Sequence, residues 1–241
     1  MDLSKENKCS IEDLRRRFDT DVERFSNLET GQKSAVDAPL MLELVARAAV
    51  SCTLEIRHIL DIGCGGGNYA VKLLTHVPQA HCDLVDLSSA MLTRAFERVS
   101  RATTGTVTVH QGDFRTVDLP ENYFDVITAG SVFHHLRDDD DWEDSFRKLY
   151  RITAPGGSVW IADLVAHENP EIQSMMFGRY ASYLELTGGR EFRDSIVKMI
   201  ETDDTPRPVT WQTELLRKVG FSQVDILHKN SCFAAFGAVK H

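Results

Sequence analysis

The sequence predicts an α/β protein built on a doubly wound, mostly parallel sheet of seven strands, and three observations predict it. Short apolar runs alternate with segments of helical period from His58 to Val165, the pattern of a parallel sheet covered on both faces. Four glycines fall within five positions, "GCGGG" from Gly63 to Gly67, directly behind the first apolar run. The chain ends in two further strand-like runs, "FSQVDILHK" and "CFAAFGAVK", joined near Asn230-Ser231, so the last strand is expected to lie antiparallel.

The elements follow in order. Ile11, Leu14, Phe18, Val22 and Phe25 recur at three- and four-residue steps behind Ser10, which predicts a capped amphipathic helix. Pro39 opens a second helix, "PLMLELVARAAV", because proline is tolerated in a first helical turn. "RHILDI", "HCDLVDL" and "VTVHQGDF" read as three strands, with helices over "NYAVKLLTHV" and "SSAMLTRAFERVSRA" and a cap at Ser88 or Ser89. "FDVITAGSVFHHL" reads as a fourth, longer strand, and "SVWIADLV" as a fifth after the helix "DDWEDSFRKLYRIT" and the turn "APGG". The run Asp138 to Asp141 suits a helix N-terminus, where the backbone dipole favours negative charge. From Ala166 to Pro208 there is no strand signal: Asn169-Pro170 starts a helix, Gly188-Gly189 stops it, and a second helix follows, which together predict a helical cap. "TWQTELLRKVG" is a helix closed by Gly220.

Bulk properties count against several functions. A net charge of −9 counts against a nucleic-acid partner, which calls for a basic face, and points to a small-molecule substrate. No apolar run approaches the roughly 20 residues of a membrane span, and "MDLSKENKCS" has no apolar stretch resembling a secretory signal, so a cytoplasmic protein without membrane attachment is expected. Five scattered cysteines without a CxxC pair read as reduced thiols. No metal is expected: His134 and His135 are adjacent, and neighbours on a strand point to opposite faces. A homodimer is admitted, and nothing in the sequence fixes the oligomeric state.

The glycine loop "ILDIGCGGGNYA" needs a ligand to explain it, because glycine weakens a regular element and lets backbone approach a bound group. In doubly wound sheets that ligand sits at the carboxyl ends of the strands. The spacing is not that of a dinucleotide fingerprint: counted from Gly63 the third glycine falls on Asn68, and from Gly65 it falls on Ala70. Asp61 stands ahead of the glycines instead, an acid that suits a cationic or amine-bearing ligand.

"DIGCGGG" resembles the first motif of class I S-adenosylmethionine-dependent methyltransferases, and three later segments match that family in order. The resemblance implies a Rossmann-like methyltransferase fold with strand order 3-2-1-4-5-7-6. It also implies S-adenosylmethionine as cofactor, S-adenosylhomocysteine as product and methyl transfer to an unidentified small molecule. By the same resemblance Asp61, Gly63, Gly65 and Gly67 pass the amino-acid moiety, and Asp86, in "HCDLVDLS", accepts from the ribose hydroxyls with Leu87 and Met91 beside it. Asp83 competes with Asp86 for that role but lies mid-strand. In "QGDF", Asp113 would accept from the adenine amino group and Phe114 would pack beside the ring, while Ala129 and Gly130 end the fourth strand at the cofactor. Each acid also has a plainer reading, Asp61 and Asp86 as caps and Asp113 as a turn residue. The resulting division of 1–241 is a single domain: N-terminal helices over 1–50, a cofactor-binding core over 58–165, a cap insert over 166–208, and a C-terminal helix and β-hairpin over 209–241.

"FDTDVERF" and "GFSQVDILHKNSCFAAFGAVK" are similar to the carboxy-S-adenosylmethionine synthase family, linked to tRNA wobble-uridine modification. That kinship implies a carboxylated cofactor held by an arginine of the insert, which aligns with Arg193. The generic glycine loop and the longer "DTPRPVT" segment depart from that family. A cofactor-binding protein without catalysis is the further alternative. Of the groups after the fourth strand, His134 is the candidate general base, because histidine titrates near neutrality; a structural histidine is the competing reading. Arg179, Tyr180, Tyr183, Arg190 and Arg193 would place cations and aromatics over the mouth, for an acidic substrate or a solvated lid. The "NPPY" signature of amino-group methylation is replaced by Ala129-Gly130-Ser131-Val132.

Overall fold

Seven strands assemble into one sheet in the computed structural model, which describes residues 8–20 and 33–241. They are β1 (His58–Ile62), β2 (His81–Asp86), β3 (Val107–Gln111), β4 (Phe124–Gly130), β5 (Thr153–Leu164), β6 (Gln223–Asn230) and β7 (Phe233–Val239), in the order β3-β2-β1-β4-β5-β7-β6. The first five pair in parallel, and β7 runs antiparallel to both β5 and β6. The expected order and the antiparallel hairpin are both present.

The apolar runs explain the layering. Along β1, Ile59 packs into the core on one face of the sheet, while Leu60 and Ile62 pack into a second core on the other. A strand buried on both faces reads as an unbroken apolar run rather than as an alternation. The first face is covered by α2 (Ala38–Cys52), α3 (Asn68–Leu74) and α4 (Ser89–Ala102), and the second by α5 (Asp139–Ile152) and α7 (Val209–Val219). The cap is α6 (Pro170–Asp203), whose Tyr180, Leu184, Ile196 and Ile200 join the first core.

Helix starts are satisfied locally. In α1 (Ile11–Thr20), Ser10 and Asp13 exchange a reciprocal pair of backbone-to-side-chain hydrogen bonds, each 3.2 Å long. Ser88 accepts from the Met91 amide, Asp138 from the Asp141 amide and Asn169 from the Glu171 and Ile172 amides. Each such cap contributes about 1 kcal/mol. Leu14 is the buried anchor of α1; Val22 and Phe25, expected on the same stripe, lie outside the described residues.

Two expectations are corrected. The fourth strand does not run through to Leu136: it stops at Gly130, where Ser131 takes a left-handed φ of 59° and donates to the Ala162 carbonyl at 2.8 Å. A short 3-10 helix, Phe133–His135, follows. The fifth strand begins early, at Thr153, because the "APGG" segment pairs with the chain end through Gly156 N–H to Lys240 O (2.7 Å) and Lys240 N–H to Gly157 O (2.9 Å). As expected, the cap is two helical segments that meet at a non-helical Gly189 (φ 84°, ψ 179°). At the base of the cap, a parallel bridge pairs Ala166 with Pro208. Among the described residues no helix is long and apolar enough to cross a membrane.

Gly130 tests how tightly the sheet edge is packed. A Cβ there would meet Cε2 of Tyr69 at 2.2 Å, an overlap that a side chain can relieve only by moving. Gly130→Ala should therefore cost about 1–3 kcal/mol in urea denaturation. Tyr69→Ala in the same chain should recover most of the interaction part of that cost in a double-mutant cycle.

Candidate active site

The carboxyl ends of β1, β2, β4 and β5 open onto one cavity of about 260 Å³, roofed by α6 and flanked by α1. The position follows from topology, because the strand connections leave in opposite directions on either side of β1 and β4 and part a crevice there. Gly63 and Gly65 form its floor, Asp86, Leu87 and Met91 one wall, and Gly130 to Val132 another. Gly63 is required on two counts: its φ is +57°, and a Cβ would strike Val132 Cγ2 at 2.4 Å. Arg98 fixes the loop from behind by donating to the Gly66 carbonyl and, at 2.8 Å, to Asn68 Oδ1.

Asp86 is the principal acid of this wall. It is buried and accepts from the Gly65 amide at 2.8 Å and the Ser88 amide at 2.9 Å. Burial pushes its carboxyl up to about 6, although those amide donors oppose the shift. Of the competing acids, Asp83 pairs with His110 at 2.6 Å and is absent from the cavity wall. Ser88 links this strand end to α1 by donating to Asp19 Oδ1 at 2.6 Å.

Other expected residues lie elsewhere. Asp61 stands behind the glycine turn, fully buried, and accepts from Thr128 Oγ1 (2.9 Å) and the Ala70 amide (3.2 Å). It braces β1 against β4 and the start of α3, and among the described residues it is not part of the cavity wall. Gly67 packs on Ala95 and Val99 of α4 instead of facing the cavity. Asp113 is engaged by Arg115, two residues on, at 2.6 Å, and Arg115 also binds Asp141 at 2.7 Å, which holds the acid away from the cavity. Phe114 is buried in the second core against Phe133, with Lys148 over its ring, and Ala129 is buried in that same core. Tyr183 stacks outside Tyr180, and only Tyr180 of the two reaches the cavity. Arg193 lies outside the wall as well: it is drawn to Glu185 on its own helix and to Asp194 at 2.8 Å.

The far end of the cavity holds a polar cluster that sequence reasoning reached only through His134. His134 Nδ1 is bonded to Asp163, a buried carboxylate at the end of β5 that also accepts from the amides of Phe133 (2.8 Å), His134 (3.2 Å) and Leu164 (2.7 Å). Asp204, just beyond the cap helix, approaches His134 Nε2 at 3.7 Å and His135 Nδ1 at 3.0 Å. Burial works against charge on His134, but Asp163 and Asp204 together outweigh it and raise the imidazole to about 9. Burial and the neighbouring His134 lower His135. A histidine protonated at neutral pH does not accept a proton, so the expected role of His134 as free base does not follow from this geometry. The adjacency argument against a metal also fails: the two histidines occupy a 3-10 turn, not a strand, and both face Asp204. Arg17 reaches the same region and pairs with Asp203. Nothing local in the sequence marks Asp163, Asp204 or Arg17, since their partners stand 29 to 186 positions away.

The seven-stranded sheet of this order, with a glycine turn after β1 and a buried acid ending β2, forms a Rossmann-like α/β fold. Residues 59–157 match the family described as a methyltransferase domain, and this match together with the similar proteins supports a class I S-adenosylmethionine-dependent methyltransferase. It is 26% identical over 171 residues to a demethylmenaquinone methyltransferase of Listeria monocytogenes, covering 69% of this chain and 70% of that one. Among solved structures it resembles the [4+2]-cyclase SpnF, with a TM-score of 0.66 at 15% identity and 97% of each chain covered. It also resembles PigF with S-adenosylhomocysteine, with a TM-score of 0.64 at 19% identity, over 97% of this chain but only 63% of that longer one.

The buried Asp61 gives a pH test. Burial raises its carboxyl to about 7, above its ordinary value, so the folded protein binds the proton more tightly than the unfolded chain does. Its contribution to stability is then fully present below about pH 4 and is lost as pH rises through 7. Asp61→Asn, whose amide can still meet Ala70 and Thr128, should be more stable than the wild type at pH 8, by on the order of 3 kcal/mol. The gain should shrink toward pH 5 when unfolding is followed by circular dichroism in urea.

Proposed function

We propose that the protein transfers a methyl group from S-adenosylmethionine to a small acceptor with an apolar, ring-sized body, held beneath the cap. The observation that carries this reading is the continuity of the cavity. It runs from Gly63, Gly65 and Asp86 to an apolar wall formed by Tyr180, Ile196, Met199, Ile200 and Phe233. Cofactor and acceptor would therefore share one water-poor chamber. The relative named for demethylmenaquinone supports an acceptor of apolar character.

The cofactor supplies a methyl group already activated on a sulfonium. The protein's task is then to hold two molecules in line and exclude water. Asp86 has two acceptor oxygens poised at the end of β2, each already ordered by one backbone amide, and would receive the ribose hydroxyls with Leu87 and Met91 packed alongside. Gly63 and Gly65 let the backbone approach the amino-acid moiety. Tyr180, bonded to the Ser34 carbonyl at 2.7 Å, ties the cap to the segment before α2 and sets the roof height over the acceptor.

The carboxylated cofactor finds no cation where it was expected, because Arg193 faces Glu185 and Asp194 outside the cavity. Arg193→Ala should accordingly leave the choice between the two cofactors unchanged in competition binding. A clear loss of preference for a carboxylated form would restore that alternative. For the cofactor site, Asp86→Ala should weaken S-adenosylhomocysteine binding at least tenfold by calorimetry with the circular dichroism spectrum retained. Wild-type affinity should fall as pH drops below about 6, where Asp86 takes up a proton. That dependence should vanish in the variant, and undiminished affinity at pH 7.5 would show that the ribose site has been misplaced.

A further inference from the structure

We propose that His134, His135 and Asp204 form a binding site for one divalent transition-metal ion at the acceptor end of the cavity, with Asp163 orienting His134. The ligand atoms of the three side chains lie within 4.8 Å of one another, and all three residues border the cavity. They come from two separate parts of the chain, the 3-10 turn after β4 and the residue following the cap helix, so the cluster exists only in the folded protein.

The second observation is an unmet polar demand. Asp204 is 4% exposed, and its Oδ1 accepts no hydrogen bond among the described residues. The one polar neighbour within reach of His135 Nδ1 among the described residues is this same carboxylate oxygen, at 3.0 Å, a contact that falls short of a full hydrogen bond for either atom. A buried carboxylate oxygen left without a donor costs roughly 1–3 kcal/mol. A cation bound between Asp204 and the two imidazoles would meet both groups at once.

The surroundings are those a metal ligand needs. Metal-binding histidines commonly give their other ring nitrogen to a carboxylate, which fixes the ring and its tautomer. His134 Nδ1 is held in this way by Asp163, and Nε2, turned to Asp204, is the atom that would bind the ion, which would displace its proton. The two ligand segments are stapled together, because the Thr205 amide donates to the His134 carbonyl at 2.7 Å and the Thr205 hydroxyl to the Leu136 carbonyl. Two imidazoles and one carboxylate on one side of an ion suit zinc, iron(II), manganese or cobalt and leave coordination positions open toward the cavity. Magnesium and calcium, which prefer all-oxygen shells, fit poorly.

The use of such an ion rests on the methyltransferase reading above. An acceptor hydroxyl bound to the metal would lose its proton to water, since a divalent ion lowers the pKa of a coordinated oxygen. The resulting oxyanion would form the new O–CH3 bond while the S–CH3 bond breaks, and its electron pair would stay on sulfur as S-adenosylhomocysteine. No oxidation or reduction is involved. The acceptor class that fits is a hydroxylated ring, with its oxygen at the His–Asp cluster and its body against Ile196, Met199 and Ile200.

The test uses the tag-free, chelator-treated protein, titrated with zinc by calorimetry and with cobalt(II) by visible absorption. The expected result is one ion per chain at micromolar affinity or tighter, with the visible bands of nitrogen-coordinated cobalt. Asp204→Asn and His135→Ala should weaken binding at least tenfold, and Asp163→Asn by about tenfold through loss of ring orientation. His76→Gln, an exposed histidine elsewhere, should change nothing. If Asp204→Asn fails to fold, loss of the zinc-induced rise in melting temperature in His135→Ala decides the matter. Absence of one-to-one binding, or binding that survives His135→Ala, would overturn the proposal. S-adenosylhomocysteine binding, measured on the same metal-free protein, separates the two failures: cofactor without metal sinks only this site, and neither sinks the methyltransferase reading as well.

Discussion

The buried carboxylate of Asp163 is the interaction on which the site depends. It is 1% exposed, at the end of a strand in the middle of the sheet, where an unsatisfied charge would cost several kcal/mol. It is tolerated because four donors converge on it: three backbone amides and His134 Nδ1. Those same bonds hold the turn after β4 in a short 3-10 helix, which brings His134 and His135 to the cavity. The turn in turn receives the Thr205 amide on the His134 carbonyl, so the segment leaving the cap is registered against the core through the same residue. One acid thus sets the β4 exit, the histidine orientation and the seat of the cap.

The amino-terminal helix is held by charges of the same kind. Arg17 pairs with Asp203, the last residue of the cap helix, while Arg137 donates to the Asp203 carbonyl and, at 2.8 Å, to the Cys9 carbonyl. Asp19 meanwhile accepts from Ser88 beside the cofactor wall. The helix therefore spans the cavity from its cofactor side to its cap side, fastened by short polar contacts at both ends and by Leu14 between them. Polar fastenings of this sort exchange readily with water, whereas the apolar packing of the sheet does not. Opening of the chamber is thus more readily pictured at α1 than at the sheet.

What could be read from the sequence, and what could not, follows from the range of the interactions. The sheet was legible because strand burial on both faces writes itself as local apolar runs, and because Ser10, Ser88, Asp138 and Asn169 signal helix starts within three residues of their partners. Gly63, Gly65 and Asp86 were legible for the same reason, since a turn and a strand end are local events. The fourth strand was drawn too long because "SVFHHL" has strand-like composition, and only a tertiary contact, Ser131 with Ala162, turns it aside. Asp113 pairs instead with Arg115, two positions on, a short-range ion pair that the sequence itself displays. Arg193 is expected over the mouth by its alignment with an arginine of the resembled family, but Glu185 and Asp194 hold it outside the cavity wall, and neither pairing is visible in that alignment.

The two ends of the cavity differ in how they were built, and the difference bears on function. The cofactor end is made by backbone turns and one acid, all within residues 63–91, so its chemistry is set by the strand–turn–helix units themselves. The opposite end of the cavity is assembled from the β4 exit, the end of β5 and the cap, with Asp204 beside Asp203 in the chain but only Asp204 on the cavity wall. Those two adjacent carboxylates point to different partners, Asp203 to the arginine of α1 and Asp204 to the histidines. The last turn of the cap thereby carries both the contact to α1 and the contact to the histidines, so a single stretch of backbone sets the position of both ion pairs.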